Sequence, residues 1–177
     1  MVNIEQELAN NQSILLLIPS MQYNEVSADV AKQLSSGSLC YVTLNKTFAS
    51  LKESFAKEGI NLDNLVFIDA ISKSIKMAPE QTDSAYFVSS PSAMTELSLA
   101  MTKFLKHNFD YIIFDSFSNL LIYHQKDAVV KFISSIVNKI KASNTKAVFY
   151  AIKSKEHEGM VQQCSMFVDK VIDMGVE

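Results

Sequence analysis

The side chains of this sequence that could hold a phosphate or a metal ion stand directly after apolar runs. They are Ser20, Glu25, Ser27, Asn45, Asp115, Ser116 and Lys153. Asp115 and Ser116 together could contact Mg²⁺ or a phosphate, because carboxylate and hydroxyl oxygens are ligands of Mg²⁺. The same pair could instead cap the turn that follows a strand, which is the interpretation we favour.

Nothing in the sequence predicts a nucleophilic catalyst. His107 and His124 are isolated, and no Ser, Asp or Cys partner stands near either of them in a pattern typical of a triad. The polar cluster from Lys153 to Glu158 occupies a position where α/β enzymes place sensor residues, although a solvated loop explains it equally well. We therefore assign no catalytic residue.

Composition narrows the function classes further. All 16 basic residues among the 177 are lysine, and they are scattered along the chain. Without arginine the chain lacks the planar fork used for bidentate phosphate contacts and base reading, so we expect no nucleic-acid partner. Cys40 and Cys164 are far apart in sequence and predict buried free thiols and no metal site.

Length and hydropathy predict one soluble, cytoplasmic domain that spans residues 1–177. With 48% hydrophobic residues the chain can bury one core and is short for two. The first eleven residues are polar and acidic, unlike a secretory leader, and the longest apolar run, Ile14 to Pro19, is too short for a membrane span. We expect no membrane partner.

Short apolar runs alternate with longer amphipathic segments, which predicts a mostly parallel sheet with helices on both faces, a three-layer α/β/α sandwich. The predicted strands are Ile14–Ile18, Leu39–Leu44, Leu65–Ala70, Tyr111–Asp115, Ala147–Ile152 and Phe167–Ile172, with a short extended run at Tyr86–Ser89. The predicted helices are Glu25–Leu34, Phe48–Lys57, Ser92–His107, Asp127–Lys141 and His157–Cys164. Residues 72–84 are expected to form an exposed loop.

In such a sheet, ligands bind beyond the carboxyl ends of the strands. We therefore expect Ser20–Glu25, Asn45–Lys46, Asp69, Asp115–Ser116 and Lys153–Lys155 to share one edge. The segment from Phe114 to Tyr123 carries more apolar residues than one helix face needs, so part of it could be exposed for a partner.

The stretch from Phe109 to Tyr123, an apolar strand that ends in Asp-Ser and leads to a Tyr, resembles the Walker B region of the archaeal KaiC-like branch of RecA-fold ATPases. The helix that precedes it, the second strand and the closing strand Phe167–Asp173 are similar to family segments in the same order. The resemblance covers residues 14–174 and implies a RecA-like fold that assembles side by side with its own copies or with an active ATPase.

Where the family has a phosphate-binding loop, this chain departs from the pattern. A working loop reads G-x-x-x-x-G-K-[ST], and its glycine backbone, lysine and hydroxyl hold the phosphates and magnesium. Ser20 to Ser27 reads Ser-Met-Gln-Tyr-Asn-Glu-Val-Ser, so Val26 replaces the lysine and Glu25 the second glycine. The repulsion between the Glu25 carboxylate and a bound triphosphate would be on the order of several kcal/mol. The interpretation that we favour for Glu25 is a glutamate in the first turn of the following helix, stabilised by the helix N-terminus, with Asn24 as the cap.

Two further parts of the family's catalytic apparatus are missing. Asn45-Lys46 stands where the family has water-activating glutamates, and neither residue is a plausible general base. The resemblance also implies basic residues acting in trans from strands beyond the closing strand, and the sequence reaches Glu177 where they would begin.

Three hypotheses follow. The leading one is a non-catalytic domain, without cofactor or metal, that acts through a protein partner or as a homo-oligomer in regulation or scaffolding. The second is a sensor that binds a nucleotide or other small ligand, without hydrolysis, at a vestigial site edge. That edge comprises Ser20, Glu25, Val26, Ser27, Asn45, Asp115, Ser116 and Lys153. The third, an active ATPase, would need Lys32 or Lys46 to replace the missing lysine.

Overall fold

Seven parallel strands form a single sheet at the centre of the chain, in a computed structural model that describes residues 1–175. In chain order they are β1 (Ser13–Ile18), β2 (Leu39–Thr43), β3 (Leu65–Asp69), β4 (Ala85–Phe87), β5 (Tyr111–Asp115), β6 (Lys146–Ile152) and β7 (Lys170–Asp173). Their order across the sheet is β4-β3-β2-β5-β6-β1-β7. Because all strands are parallel, their carboxyl ends lie along one edge.

Helices cover both faces of this sheet, as the apolar strands require. Within the described residues they are α1 (Ile4–Asn10), α2 (Tyr23–Leu34), α3 (Phe48–Lys57), α4 (Ser72–Ile75), α5 (Met94–Leu105), α6 (Phe117–Leu120), α7 (Lys126–Lys141) and α8 (Glu158–Cys164). One hydrophobic core joins the sheet to α1, α2 and α3. The other joins it to α5, α6, α7 and α8. The predicted three-layer α/β/α arrangement is confirmed.

All six predicted strands and all five predicted helices are present; strand Tyr111–Asp115 and helix Phe48–Lys57 have the predicted bounds, and the other elements have shifted ends. The largest shift is in β7, which begins at Lys170 where Phe167 was predicted. Residues 164–168 form a turn in which the N–H groups of Phe167 and Val168 donate to the Cys164 carbonyl. The extended run predicted at Tyr86–Ser89 is the edge strand β4, and the predicted loop 72–84 contains the short helix α4.

Helix α1 is absent from the sequence prediction, because its residues looked like a polar, acidic start. Its amphipathic face consists of Ile4 and Leu8 alone, one turn apart and both fully buried. Asn3 begins the helix, since its side-chain oxygen accepts a hydrogen bond from the Gln6 N–H at 2.9 Å.

Val176 and Glu177, near which the trans-acting segment was expected to begin, lie outside the described residues. In the described part of the chain no helix has the length and apolar character needed to cross a bilayer. Cys40 and Cys164 are free and buried, as predicted, and burial raises the pKa of the Cys164 thiol to about 12.

Candidate functional site

Asp115, the last residue of β5, is the buried carboxylate at the ligand-binding edge of the sheet. Its side chain is only 2% exposed. One carboxylate oxygen accepts a hydrogen bond from the Tyr23 hydroxyl, and the other accepts one from the Tyr41 hydroxyl at 2.7 Å. Tyr23 begins α2, and Tyr41 lies in the middle of β2. Both oxygens that could coordinate a metal ion are thus held by hydroxyl groups of the protein itself.

Tyr150 of β6 completes this group, which we call the tyrosine cluster (Tyr23, Tyr41, Tyr150 and Asp115). The rings of Tyr23 and Tyr150 meet edge to face with their centroids 6.2 Å apart. The Tyr150 hydroxyl donates to the Ser27 carbonyl at 3.4 Å, so the cluster also ties the first turns of α2 to the sheet.

Burial dominates the electrostatics of the cluster. Desolvation raises the pKa of Asp115 above its ordinary value of 3.8, and the hydrogen bonds from Tyr23 and Tyr41 oppose that rise because they stabilise the carboxylate. Desolvation, followed by the nearby charge of Asp115, raises the pKa of Tyr23 and of Tyr41. The tyrosines therefore remain neutral hydrogen-bond donors.

The connection between β1 and α2 has no phosphate-binding loop. Ser20–Gln22 forms a single 3-10 turn, and α2 starts at Tyr23, two residues before the predicted start at Glu25. Val26 and Ser27 consequently lie inside the helix and are buried. The Ser27 hydroxyl, one of the candidate phosphate or metal ligands, donates instead to the Asn24 carbonyl at 3.1 Å.

One expectation for the start of α2 is wrong. Asn24 does not cap the helix, because Gln22 occupies the cap position and Asn24 lies within the first turn, where its side-chain oxygen accepts from Lys46 Nζ at 2.6 Å. Glu25 lies in the first turn of α2, as the favoured interpretation predicts, and does not point into the edge of the sheet. It is exposed and lines a cavity with Val2, Met174 and Gln22. The group that fills the loop position is Tyr23.

Of the other predicted site residues, two lie next to Asp115 and two lie further away. Asn45 is exposed. It lies near Asp115, since the N–H of the preceding Leu44 donates to the Asp115 carbonyl at 2.7 Å. Ser116 is buried and its hydroxyl donates to the Asn119 side chain at 2.6 Å. Ser20 is exposed in the turn. Lys153 makes no polar contact with Asp115. Its ammonium forms an ion pair with Asp173 at 2.7 Å.

Asp69, also predicted at this edge, has a structural role. Its carboxylate accepts the N–H groups of Phe48, Ile71 and Ser72 at 2.7–2.8 Å and the Ser72 hydroxyl, so it anchors the starts of α3 and α4. Across residues 1–175, no three His, Cys, Asp or Glu side chains converge as a metal site would require.

The three tyrosines were not predicted from the sequence, although a signal was present. Tyr41 and Tyr150 interrupt otherwise apolar buried strands, and a buried phenol hydroxyl needs a polar partner. The nearest carboxylate at that edge is Asp115. Tyr23 lies next to the turn between β1 and α2, where the bulk of its ring was a reason to expect a filled turn.

No family model and no curated protein matches this chain in sequence. Solved structures do match it. An uncharacterized protein from Pyrococcus horikoshii, PH0321, crystallised in complex with an unknown peptide, is similar with a TM-score of 0.68 and 12% identity over 95% of this chain and 82% of that one. The KaiC-like protein PH0186 from the same archaeon is similar with a TM-score of 0.67 and 10% identity over 94% of this chain and 74% of that one. These similarities show that the chain has the KaiC-like, RecA-type α/β fold.

Proposed function

We propose that this chain is a non-catalytic KaiC/RecA-like domain that acts by binding another protein or a second copy of itself, in regulation or scaffolding. One observation carries the proposal: both carboxylate oxygens of Asp115 accept hydrogen bonds from tyrosine hydroxyls, and Tyr23 fills the turn. In P-loop ATPases the equivalent acid helps to hold Mg²⁺, and the turn holds the phosphates.

The energetic cost of opening this site supports the absence of ATPase chemistry. To admit MgATP, Tyr23 would have to leave a core in which it is 8% exposed. Exposing an aromatic ring costs about 1.5–3 kcal/mol. Losing a hydrogen bond to a buried charge costs a further 1.5–3 kcal/mol, roughly. The sum, about 3–6 kcal/mol, would weaken nucleotide binding by roughly two to four orders of magnitude.

No lysine compensates for this cost. Lys46, one of the two candidate replacements, donates to the Asn24 side chain, and its charge helps to stabilise the Asp115 carboxylate. Lys32, the other candidate, lies in the last turn of α2, at the opposite end of the helix from the turn. The same hydrogen bonds argue against the sensor hypothesis. The side chains of Asp115, Ser116 and Ser27 already have hydrogen-bond partners within the protein, so they are not free to bind a ligand.

Protein contact is the remaining role, and two observations favour it. In the apolar segment that follows β5, Ile122 and Tyr123 are 70% and 48% exposed, whereas Phe117 and Leu120 are buried. An apolar pair beside the sheet edge is the kind of surface that partners cover. PH0321, which shares the fold, was crystallised with a peptide bound to it.

Sedimentation velocity, run with an ATP-turnover assay, tests this proposal. We expect no turnover, and we expect the wild type to sediment as a dimer or larger, or together with an added KaiC-like ATPase. Replacing Ile122 and Tyr123 by Lys should abolish that association, whereas Met166→Lys, a change at an exposed apolar residue elsewhere on the surface, should not. ATP turnover that disappears in Asp115→Ala would contradict the proposal, and so would a wild-type monomer that associates with no such ATPase.

A further inference from the structure

The two helical layers of the sandwich carry opposite net charge. Helices α1, α2 and α3, on one face of the sheet, contain five acidic residues and three lysines. Helices α5, α6, α7 and α8, on the other face, contain three acidic residues and five lysines. The outer surface of one layer is therefore complementary in charge to the outer surface of the other layer in a second copy of the chain.

Leu99 of α5 is the large apolar side chain that the helices of the basic layer expose. It is 67% exposed. Lys103 lies one turn further along on the same side of α5, and Lys106 lies at the C-terminal end of that helix. Lys139 of α7 lies alongside, because its ammonium donates to the Ser98 hydroxyl at 2.9 Å. An exposed leucine is thus surrounded by three lysines.

None of these three lysines forms an ion pair within the described residues. The ammonium of Lys103 lies 5.4 Å from the centre of the Tyr86 ring. The acidic residue of α5, Glu96, is held by Ser89, whose N–H donates to its carboxylate at 3.1 Å. The surface around Leu99 is therefore positive, and a partner that covers it must supply carboxylates beside an apolar recess.

The acidic layer has a recess of this kind. A cavity of about 450 Å³ opens between α2 and α3. Cavities of roughly 300–1,000 Å³ hold whole small molecules, so a leucine side chain fits. Ala28 contributes apolar surface to the lining. Its charged groups are the carboxylates of Glu25, Asp29 and Glu58, the ammonium of Lys32 and the amino group of Met1. The carboxylates outnumber the cations.

We propose that copies of this chain associate head to tail. Leu99 of one copy enters the cavity between α2 and α3 of the next copy, and Lys103 and Lys106 lie against the carboxylates of that cavity. The two surfaces are on opposite faces of the sheet, so each copy binds two neighbours. Such a contact produces open chains and not closed dimers.

The head-to-tail contact rests on the proposed function, because it specifies a second copy as the protein partner. The exposed pair Ile122 and Tyr123 borders the same helical layer as Leu99. The pair is followed by His124, whose ring lies 2.8 Å from the Ser92 carbonyl, two residues before α5 begins. Both apolar features therefore belong to one side of the molecule.

The test is sedimentation velocity of the full chain over a range of protein and NaCl concentrations. We expect the sedimentation coefficient of the wild type to rise continuously with protein concentration and to fall as NaCl screens the charges. Lys103→Glu with Lys106→Glu should weaken self-association about tenfold, because two exposed ion pairs become repulsive contacts. Leu99→Gln should weaken it by a similar factor. Lys76→Glu, at an exposed lysine outside both layers, should leave it unchanged.

A reciprocal charge reversal identifies the two surfaces as partners. Glu25→Lys with Glu58→Lys should weaken self-association as much as the reversal of Lys103 and Lys106 does. An equimolar mixture of the two double variants should recover it, because the introduced glutamates of one variant then meet the introduced lysines of the other. Circular dichroism melts check that each variant folds.

The outcomes separate this contact from the proposed function. Self-association that neither reversal changes, or a mixture that associates as weakly as its components, would overturn the head-to-tail contact alone. So would a wild type that is monomeric by itself and associates only with an added KaiC-like ATPase. A wild type that associates with neither would overturn both the contact and the proposed function.

Discussion

Replacing Tyr23 by Phe tests the tyrosine cluster, because it removes one hydroxyl and keeps the ring that fills the turn. Asp115 would then keep one of its two tyrosine hydrogen bonds. Asp115 is 2% exposed and Tyr23 is 8% exposed, so water does not readily replace the lost donor. A hydrogen bond to a buried charge contributes about 1.5–3 kcal/mol to stability. For a domain of this size that corresponds to a fall in Tm of roughly 3–12 °C.

The effect of Tyr23→Phe should depend on pH with a definite sign. The Tyr23 hydrogen bond stabilises the ionised form of Asp115, so its contribution is present above the pKa of Asp115 in the folded state and is lost as pH falls through that pKa. Desolvation places this pKa above 3.8. The variant should therefore lose more stability at about pH 8 than at about pH 4.

Urea unfolding followed by circular dichroism, at several pH values, measures this difference. Tyr123→Phe is the matched control, because Tyr123 is 48% exposed and its hydroxyl makes no hydrogen bond within the described residues. In an Asp115→Asn background the effect of Tyr23→Phe should lose its pH dependence. A Tyr23→Phe variant as stable as the wild type at about pH 8, or one equally destabilised at both extremes, would refute the reasoning.

Two further predictions concern the elements that close the fold. Burial raises the pKa of Asp169, but the hydrogen bonds from Ser13 and the ammonium of Lys141 outweigh it and hold the pKa below 3.8. Asp169→Asn should thus lower the free energy of unfolding by about 1 kcal/mol at neutral pH, because the ion pair is partly exposed to solvent, and the loss should fade as the pH falls from 3.8 through the lowered pKa of Asp169, which a urea series at several pH values would detect. Leu8→Ala should lower it by about 2–5 kcal/mol because Leu8 is fully buried, whereas Gln6→Ala on the exposed side of α1 should change it little. Equal effects of the two α1 variants would contradict the packing of that helix.

Periodicity was sufficient to predict the layers of this fold, because parallel strands buried on both faces leave long apolar runs between amphipathic helices. It failed where few residues carry the signal. Helix α1 buries two side chains, Ile4 and Leu8, within an otherwise polar stretch. The start of strand β7 was predicted too early, because the apolar Phe167 looked like the first residue of a strand. The strand begins only after Asp169, whose carboxylate accepts the N–H groups of Gln12 and Ser13.

The candidate site was harder to predict, because its residues meet only in three dimensions. The sequence was sufficient to place Asp115 at the ligand-binding edge of the sheet and to show that the segment from Ser20 to Ser27 has no lysine. From the sequence, Glu25 was expected to be the residue that keeps a triphosphate out. In the structure α2 begins at Tyr23, and Glu25 is exposed on the surface of that helix. The real occupant, Tyr23, is separated from Asp115 by 92 positions in the chain, and the two residues meet only in the folded protein, where both lie at the carboxyl edge of the sheet.

Calorimetric titration of the purified chain with MgATP tests the central claim most directly. The tyrosine cluster predicts no saturable heat with the wild type, since the groups that would hold the metal ion and the phosphates are already bonded to each other. Saturable MgATP binding that disappears in Asp115→Asn would contradict the account, because it would mean that Tyr23 vacates the turn at little cost and that the site still serves a nucleotide.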